Sequence, residues 1–262
     1  MKIIAISGYK SFIGYSFYKR YKKKLKILHY KKDINKITEL KKFVLKKKIT
    51  HFINFAGLSR LKCSNNKSEC IKTNYKSIKL ITNLFNSLNN KPKLIFISSS
   101  HVYGKSNLKL NEKSKILPNT LYGLTKFKSE EYIKKNYINY SILRLFNVYG
   151  PNQPKSFFVT DMIYKIKRKQ VIVIDKSIRD FIHVNTVCKI INFIIQKEIN
   201  GTINVGTGRG YTLKSIIHHI GNKLKVKPIL KILDKDSKIV ADINFLKSKG
   251  FKFTKNEKNF NI

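Results

Sequence analysis

Residues 3–14 read IIAISGYKSFIG, a short apolar run that passes into a turn bearing Gly8 and Gly14. The apolar run predicts a strand, and the amphipathic segment after it predicts a helix that begins within the turn. In an open α/β sheet such a turn places helix N-terminal amides where they can bind a pyrophosphate, and glycine lets the backbone approach it closely. A tight turn in any doubly wound protein could have the same spacing. Its position after the first predicted strand favours a nucleotide site.

The same alternation of apolar runs and amphipathic segments continues along the chain. Through residue 146 it predicts further strands at 25–29, 50–55, 93–98 and 140–146, and helices at 12–21, 36–45, 70–88 and 120–134. Beyond residue 151 the pattern weakens and predicts helices at 157–169, 184–196 and 213–224 and strands at 171–174 and 202–205, with little signal after Lys247. Strands that alternate with helices favour parallel βαβ units with helices on both faces of the sheet.

We therefore expect an α/β protein with a Rossmann-like doubly wound parallel sheet and a small, discontinuous C-terminal substrate-binding part. The dinucleotide-binding domain should comprise residues 1–150 and about 180–205. The substrate-binding part should comprise residues 151–179 and 206–262.

Composition is that of a folded protein with an unusual charge. The 262 residues are 42% hydrophobic and 12% aromatic, too apolar for intrinsic disorder, yet the formal net charge is +41. Only six of the 55 basic residues are arginine, and the lysines are scattered, most densely at 22–24, 41–48 and 165–169. Phosphate-binding grooves usually use arginine forks as well. We expect solvated helix faces that attract polyanions at low salt, and no specific nucleic-acid site.

The cysteines and the apolar runs bear on the compartment. Cys63, Cys70 and Cys188 form an odd set with no CxxC pair, which suggests neither a disulfide framework nor a zinc site and favours a reducing cytoplasm. No apolar run approaches the roughly 20 residues that span a bilayer, and the N-terminus does not resemble a signal peptide. His218 and His219 have no third ligand nearby in the sequence. We expect a cytoplasmic protein with no membrane partner and no metal.

Tyr122 and Lys126 lie four residues apart on a predicted helix, so both side chains can address one point. An ammonium group beside a phenol should lower the tyrosine pKa from its usual value of about 10, which makes a general acid/base for neutral pH. Tyr15 and Lys19 have the same spacing in what should be a surface pair. Tyr122 is distinguished by SSSHVYG at 98–104, which follows a predicted strand at the edge where such sheets bind ligands.

With these motifs the chain resembles the extended short-chain dehydrogenase/reductases, specifically the NAD-dependent epimerase/dehydratase family that modifies nucleotide sugars. The resemblance covers about residues 1–245. It rests on ordered motifs: SGYKSFIG at 7–14, INFAG at 53–57, Asn74 in IKTNYKS at 71–77, ISSSHVYG at 97–104, YGLTK at 122–126, LRLFNVYGP at 143–151, RDFIHV at 179–184 and INVGTG at 203–208.

The resemblance implies a role for particular residues. The catalytic residues would be Ser99, Tyr122 and Lys126. The cofactor-binding residues would be Gly8, Lys10, Ser11, Phe12, Ile13, Gly14, Asp33, Ile34, Ala56, Gly57, Asn74, Tyr122 and Lys126. The substrate-binding residues would be Ser99, His101, Asn147 and Arg179, the last two at the nucleoside diphosphate. Alternatively, Asn147 is a turn residue, Arg179 forms a surface ion pair with Asp180, and His101 is a satisfied polar residue at a strand end.

The implied activity is hydride transfer at a sugar carbon of a nucleotide sugar, most often C4, with bound NAD or NADP, as a 4-epimerase or a 4-ketoreductase. No acid follows the second predicted strand, which favours NADP and a reductase, whereas NVYGP and RDFIHV fit the epimerases. Ser100 and His101 stand where the family's dehydratases have an acidic pair, so dehydration is not expected. The family's C-terminal arginine is not recognisable in residues 231–242.

Two further expectations concern partners. Apolar stripes on the helices at 70–88 and 120–134 predict a homodimer, although packing against the sheet would explain part of them. The alternative function is a non-catalytic dinucleotide-binding or RNA-associated protein on the same fold that uses its lysine-rich surface.

Overall fold

The computed structural model describes residues 1–104, 106 and 109–262. The chain divides into two compact units. The first unit comprises Met1–Gly104, Lys115–Leu145 and Cys188–Ile203, and the second comprises Lys105–Ser114, Phe146–Val187 and Asn204–Ile262. The predicted division into a dinucleotide-binding domain and a substrate-binding part, with its boundary at residue 150, stays a prediction.

The bounds of the elements follow in chain order. The strands are β1 Ile3–Ser7, β2 Lys26–Tyr30, β3 His51–Asn54, β4 Lys93–Ser99, β5 Lys109–Leu110, β6 Tyr140–Leu145, β7 Asn147–Tyr149, β8 Val171–Asp175, β9 Ile178–His183, β10 Gly201–Val205, β11 Gly210–Thr212, β12 Ile229–Leu233 and β13 Lys238–Ala241. The α-helices are α1 Phe12–Tyr21, α2 Ile37–Lys46, α3 Arg60–Asn65, α4 Lys67–Ile71, α5 Ser77–Asn86, α6 Leu121–Asn136, α7 Phe158–Lys167, α8 Val184–Gln196, α9 Leu213–Leu224, α10 Asn244–Ser248 and α11 Lys255–Lys258.

A six-stranded sheet forms the centre of the first unit, in the order β10-β6-β4-β3-β1-β2. The pairs β1–β2, β1–β3, β3–β4 and β4–β6 are parallel. Strand order reverses between β1 and β3, and open α/β sheets bind ligands beyond the carboxyl ends of the strands at such a point. The doubly wound parallel sheet predicted from the alternation is confirmed.

The core of the first unit is aromatic where helices cover the sheet. Phe52 on β3 contacts Phe85 on α5 edge-on, with ring centroids 5.4 Å apart, and Phe85 contacts Tyr137 at 6.3 Å. All three side chains are buried, and burying one such side chain stabilises a fold by about 1.5–3 kcal/mol. The side chains that face this core recur at a period of two in strands and 3.6 in helices. Their spacing in the sequence was therefore enough to predict these elements.

The helix predicted over residues 70–88 is interrupted. The observed segment begins with α4, passes through a π-helical turn at Lys72–Lys76 and continues as α5 to Asn86. A π-helical turn changes the direction in which the following side chains point, and such turns are frequent at functional sites. Asn74 lies in this turn and is 1% exposed.

Cys63 and Cys70 form a disulfide, so the expectation of no disulfide is wrong. Cys63 lies on α3 and Cys70 on α4, two short helices joined at Asn66. The turn at Asn66 folds the chain back and brings the two buried cysteines together, which their spacing in the sequence does not reveal. Cys188 is buried and unbonded.

The second unit contains the elements that were hardest to predict. A sheet of order β11-β9-β13-β5 carries β7 on β9, and β8 pairs with β12 in a separate parallel ribbon. α7, β8 and α9 match the predicted elements, whereas β11, β12 and β13 were not predicted. Their residues show little period-two alternation, because few of their side chains are buried.

Neither a membrane-spanning helix nor a metal-ligand cluster occurs in the described residues. No helix there is both long and apolar enough to cross a membrane. No group of three or more His, Cys, Asp or Glu side chains in the same residues lies where it could hold a metal ion.

The C-terminal tail contributes a core residue despite its weak signal. Phe260 is 6% exposed and contacts Tyr149, Phe181 and His219 at ring-centroid distances of 4.6, 5.6 and 5.5 Å. We expect Phe260→Ala to lower the free energy of unfolding by about 3 kcal/mol, because it removes a buried ring and leaves a cavity.

Urea unfolding followed by circular dichroism measures this, with Ile262→Ala as the control. Ile262 is 39% exposed, and its truncation should change stability by no more than about 0.5 kcal/mol. Equal effects of the two substitutions would contradict the packing of Phe260.

Candidate active site

The turn after β1 lies tightly against the residues that follow β3. Gly8 has φ of +65°, and a Cβ atom there would lie 2.5 Å from the backbone nitrogen of Ala56. A Cβ atom on Gly14 would lie 2.6 Å from the Gly8 carbonyl oxygen. Ser11 caps α1, since its hydroxyl accepts a hydrogen bond from the Gly14 N–H at 3.2 Å. Glycine is therefore required at both positions, and α1 begins at the carboxyl edge of the sheet.

The other residues predicted to bind the cofactor from this side have structural contacts. Lys10 lies on the turn, and its Nζ is 6.0 Å from the centroid of the Tyr9 ring. Asp33 accepts hydrogen bonds from the backbone and side-chain nitrogens of Asn35, each at 2.9 Å, and the backbone bond is the main cause of its lowered pKa. Ile34 is buried in the hydrophobic core.

An aromatic stack at the end of β2 was not predicted. The ring of His29 stacks on Tyr9 at a centroid distance of 4.4 Å and meets Tyr18 edge-on at 4.2 Å. Burial, followed by the charge of Lys31, lowers the His29 pKa. Its Nε2 is buried and has no hydrogen-bond partner among the described residues. The sequence showed only that an acid is absent here; the stack depends on the approach of the turn to β2.

Ser99, His101 and Tyr122 meet at the carboxyl end of β4. The Ser99 hydroxyl lies near the Tyr122 phenol, where it acts to lower the Tyr122 pKa. The Ser99 hydroxyl also accepts a hydrogen bond from the His101 N–H at 3.2 Å, at the start of a 3-10 turn. The His101 ring lies edge-on to the Tyr122 ring with 5.6 Å between centroids. These three predicted residues therefore form one group.

Lys126 lies one helical turn after Tyr122 on α6 and is 5% exposed. Its ammonium group donates a hydrogen bond of 2.8 Å to the carbonyl oxygen of Ile97 on β4. The Nζ atom is 6.0 Å from the centroid of the Tyr122 ring and 4.8 Å from that of Phe96. Lys126 is thus held beneath the end of β4, next to the Ser99 group.

Burial controls the protonation of this pair. Burial raises the pKa of Tyr122, and the hydrogen bond with Ser99 opposes the shift. Burial lowers the pKa of Lys126 to about 8, and the charge of Glu130 opposes that shift. The expectation of a lowered Tyr122 pKa is therefore wrong for this arrangement, because desolvation of the phenolate has the largest effect and raises the pKa. Tyr122 is a protonated donor at neutral pH.

Asn74 connects the loop after β3 to α6. Its Oδ1 accepts a hydrogen bond from the Leu58 N–H at 2.7 Å, and its Nδ2 donates to the Leu58 carbonyl oxygen at 3.1 Å. The Ser129 hydroxyl on α6 donates to the Asn74 carbonyl oxygen at 2.7 Å. A Cβ atom on Gly57 would lie 3.1 Å from Asn74 Oδ1 and 3.4 Å from Lys126 Nζ. Predicted residues from three motifs are thus adjacent.

A buried ion pair lies behind this group. Glu130 on α6 and Arg144 on β6 are 0% and 1% exposed, and Arg144 Nη2 lies 2.6 Å from Glu130 Oε2. Neither residue was predicted. Two signals in the sequence could have indicated them: Glu130 follows Lys126 by four residues on the same helix, and both acids and arginines are scarce in the chain.

The two predicted diphosphate contacts belong to the second unit, on neighbouring strands. Asn147 on β7 donates a hydrogen bond of 3.0 Å to the Asp180 carbonyl oxygen. The Arg179 guanidinium donates to the carbonyl oxygens of Ile178 and Ser237 at 2.9 and 2.8 Å and to the Ser237 hydroxyl at 2.8 Å. Asn147 is therefore a strand residue, and Arg179 is braced against the chain before β13.

The Asp180 carboxylate organises the loop after β10. It is fully buried and accepts hydrogen bonds from the Thr207 N–H and hydroxyl at 2.9 and 2.7 Å and from the Gly208 N–H at 2.9 Å. Burial raises its pKa, and these hydrogen bonds oppose the shift. The RDFIHV and INVGTG motifs meet at this carboxylate.

Comparison with known proteins identifies the family. The model of the NAD dependent epimerase/dehydratase family matches residues 8–206. The chain therefore belongs to this family, and the resemblance inferred from its motifs is confirmed.

Two curated relatives carry different activities. The chain is 32% identical over 182 residues to dTDP-4-dehydro-6-deoxyglucose reductase of Escherichia coli, across 65% of this chain and 57% of the relative. It is 36% identical over 148 residues to a putative UDP-glucose 4-epimerase of Methanocaldococcus jannaschii, across 49% and 47%. The chain spans about half the length of the curated relatives it matches.

Solved structures share the fold along nearly the whole chain. A UDP-N-acetylglucosamine 4-epimerase of Methanobrevibacter ruminantium, in complex with UDP-N-acetylmuramic acid, has a TM-score of 0.84 at 25% identity, over 96% of this chain and 92% of that one. A dTDP-4-dehydrorhamnose reductase ortholog of Clostridium acetobutylicum has a TM-score of 0.86 at 20% identity, over 98% and 96%.

The Asp180 arrangement makes a prediction about stability. We expect Asp180→Asn to lower the free energy of unfolding by about 1–3 kcal/mol, because the amide NH₂ would replace one acceptor oxygen and face the N–H groups that Asp180 now accepts from. Chemical denaturation measures this loss. Asp234→Asn, at a side chain 93% exposed, is the control and should be nearly neutral. A neutral Asp180→Asn would contradict the assigned role.

Proposed function

We propose that this protein is an NAD(P)-dependent nucleotide-sugar oxidoreductase that acts at a sugar carbon, C4, as a 4-epimerase or 4-ketoreductase. The observation that carries the proposal is the grouping of Ser99, His101 and Tyr122 at the end of β4, with Lys126 buried one turn away on α6. Membership of the NAD-dependent epimerase/dehydratase family supports it.

The residues at the sheet edge suit a dinucleotide. The turn with Gly8 and Gly14 brings the N-terminus of α1 to the switch point, where backbone N–H groups can hold a pyrophosphate. Lys126 supplies an ammonium group for ribose hydroxyls, and Asn74 holds the neighbouring Gly57–Leu58 loop. His29 in place of an acid at the end of β2 favours NADP over NAD, since no carboxylate there would repel a 2′-phosphate.

The protein's own residues would manage the proton. NAD(P) supplies hydride exchange at the sugar carbon. Tyr122, whose raised pKa keeps the hydroxyl protonated at neutral pH, would give its proton to the sugar oxygen during reduction. The phenolate that this leaves would be the form that accepts a proton from a sugar hydroxyl during oxidation. Ser99 would donate a hydrogen bond to the same oxygen. The His101 ring, edge-on to the Tyr122 ring, would form one wall of the space for the sugar.

The choice between the two reactions rests on different observations. The absence of an acid after β2 and the Escherichia coli relative named as a reductase favour a ketoreductase. The Methanocaldococcus jannaschii relative named as a putative 4-epimerase favours an epimerase. The proposal leaves out dehydration because Ser100 and His101 offer no carboxyl pair next to Ser99. The cofactor that copurifies distinguishes the reactions: retained NAD supports an epimerase, whereas an empty site that binds NADPH supports a reductase.

Substitution of Tyr122 tests the proposal directly. We expect Tyr122→Phe to lower turnover of a nucleotide-4-ketosugar or nucleotide sugar by about 10² or more, because it removes the proton donor and almost no volume. Cofactor affinity and unfolding should stay near those of the wild type. Steady-state kinetics with a panel of nucleotide sugars measures turnover, and NADPH fluorescence measures affinity.

Tyr15→Phe is the matched control, because Tyr15 has a lysine at the same spacing but is 43% exposed on α1. Normal turnover in both variants would remove Tyr122 from the proposed role. Loss of turnover in both would point to general damage and contradict a specific one.

The second unit suggests where the nucleoside diphosphate binds. We propose that Asn147 and Arg179 contact it, as their motifs imply. Arg179→Ala should weaken binding of the nucleotide sugar by about 1.5 to 3 kcal/mol, the scale of a charge-assisted hydrogen bond, and leave cofactor binding unchanged. Isothermal titration calorimetry with UDP and dTDP measures this.

The control separates a specific site from the general charge. Helix α2 and the residues directly after it carry five exposed lysines, Lys41, Lys42, Lys46, Lys47 and Lys48. Their replacement by Gln should weaken adsorption to heparin without affecting kinetics. The opposite pattern would favour the alternative, a polyanion- or RNA-associated protein. Binding to RNA that persists above physiological salt would support that alternative as well.

A homodimer remains part of the proposal. Ile78, Ile81 and Phe85 of the predicted stripe are fully buried within the chain, whereas Leu80 on α5 and Leu124 on α6 are 38% and 36% exposed. These exposed side chains are the ones that a partner could cover, and light scattering measures the assembly.

A further inference from the structure

We propose that Glu130 is a positioning residue for Lys126: its carboxylate, one helical turn further along α6 and clamped by Arg144, is the buried opposite charge that supports the Lys126 ammonium at the proposed active site. The inference deepens the proposed function and rests on it for its role in catalysis. The part of the inference that concerns the charge of Lys126 applies to the protein without bound cofactor or substrate.

The clamp is a complete network without exposure to solvent. Arg144 Nε donates to Glu130 Oε1 and Oε2 at 3.1 and 3.0 Å, and Nη2 donates to Oε2 at 2.6 Å. The Ser98 hydroxyl donates to the same carboxylate. Arg144 Nη1 donates to the Tyr103 hydroxyl at 2.9 Å, and the guanidinium lies 4.8 Å from the centroid of that ring. The Glu130 carboxylate therefore has hydrogen-bond donors at both of its oxygens.

Glu130 lies one helical turn after Lys126 on α6. Tyr122, Lys126 and Glu130 follow one another at intervals of four residues, so they lie along one face of α6. Lys126 is between the reactive phenol and the carboxylate. The network also holds the end of β4, because Ser98 precedes Ser99 and Tyr103 directly follows the 3-10 turn that contains His101. One ion pair therefore supports three elements of the candidate site.

The groups that face Lys126 from each neighbouring element leave Glu130 as its one opposite charge among the described residues. On α6 these are Tyr122 and Glu130; on β4 they are the Ile97 carbonyl and the Phe96 ring; from the π-helical turn comes the neutral Asn74. Arg144 on β6 and Lys134, 4.0 Å from Glu130 Oε2, surround the carboxylate rather than Lys126.

The charge matters because Lys126 titrates close to neutrality. Burial lowers its pKa to about 8, and the charge of Glu130 is what opposes this effect. An opposite charge nearby commonly shifts a pKa by about 1–3 units, so loss of the carboxylate should bring Lys126 into the physiological range. A neutral amine would bind ribose hydroxyls less well and place no positive charge near the Tyr122 oxygen.

The decisive experiment removes both charges together. Glu130→Gln alone leaves a buried, uncompensated arginine and can prevent folding, whereas apolar replacement of a whole buried pair is often tolerated. We therefore compare Glu130→Met/Arg144→Met with the wild type and with Glu131→Gln, a control at the next residue, which is 53% exposed. Heteronuclear NMR of ε-¹³C-lysine follows the titration of Lys126, whose signal is assigned by its loss in Lys126→Met.

We expect the Lys126 midpoint to fall by about one pH unit or more in the double variant and to stay at the wild-type value in Glu131→Gln. Arg144→Lys keeps a positive charge opposite Glu130 but loses the forked guanidinium group. In this variant the Lys126 midpoint should lie close to the wild-type value and above that of the double variant. An unchanged midpoint in the double variant would overturn the inference even if stability changed, since a purely structural pair does not set the lysine pKa.

A second readout distinguishes this inference from the proposed function. Binding of NADPH, followed by its fluorescence between about pH 6 and 9, should weaken as pH rises through the Lys126 midpoint, and at lower pH in the double variant than in the wild type. Absence of NADPH and NADH binding by the wild type would count against the proposed function alone. Identical pH profiles of the two proteins, with binding intact, would count against the inference.

Discussion

Parallel pairing of β1, β3 and β4 is the constraint on which the site depends. Parallel strands end at the same edge of a sheet, so the segments that follow β1, β3 and β4 must meet there. The glycine turn follows β1, the loop at Ala56 and Gly57 follows β3, and Ser99 is the last residue of β4. Residues from distant parts of the chain are thereby adjacent, although each motif on its own is a short local structure.

Burial sets the pKa values of the ionisable groups at that edge of the sheet. Lys126, Glu130 and Arg144 are each buried to 5% exposure or less, and an isolated charge at such a depth would be neutralised. The two strongest charges neutralise each other, and the third, Lys126, titrates near neutral pH. Tyr122 shows the same effect with the opposite sign, because its neutral form is the one that burial favours. Burial therefore favours the neutral forms of both Lys126 and Tyr122.

In the second unit, too, the groups around a buried charge compensate for its burial. The Asp180 carboxylate accepts hydrogen bonds from the loop after β10 and from the Ala241 N–H on β13, whereas Arg179 binds Ser237 rather than its sequence neighbour. A charge pattern in the sequence, Arg next to Asp, thus does not indicate an ion pair. Adjacent side chains on a strand point to opposite faces.

The sequence by itself determined the strands and helices of the parallel sheet, the glycine turn, the order of the motifs and the group formed by Ser99, Tyr122 and Lys126. These follow from local periodicity and from the rule that parallel strands share an edge. Only the tertiary structure decided the Cys63–Cys70 disulfide, the π-helical turn at Asn74, the His29 stack, the packing of Phe260 and the direction of the Tyr122 pKa. Each of these depends on how closely distant segments approach and how much water they exclude, and neither quantity is encoded in the spacing of residues along the chain.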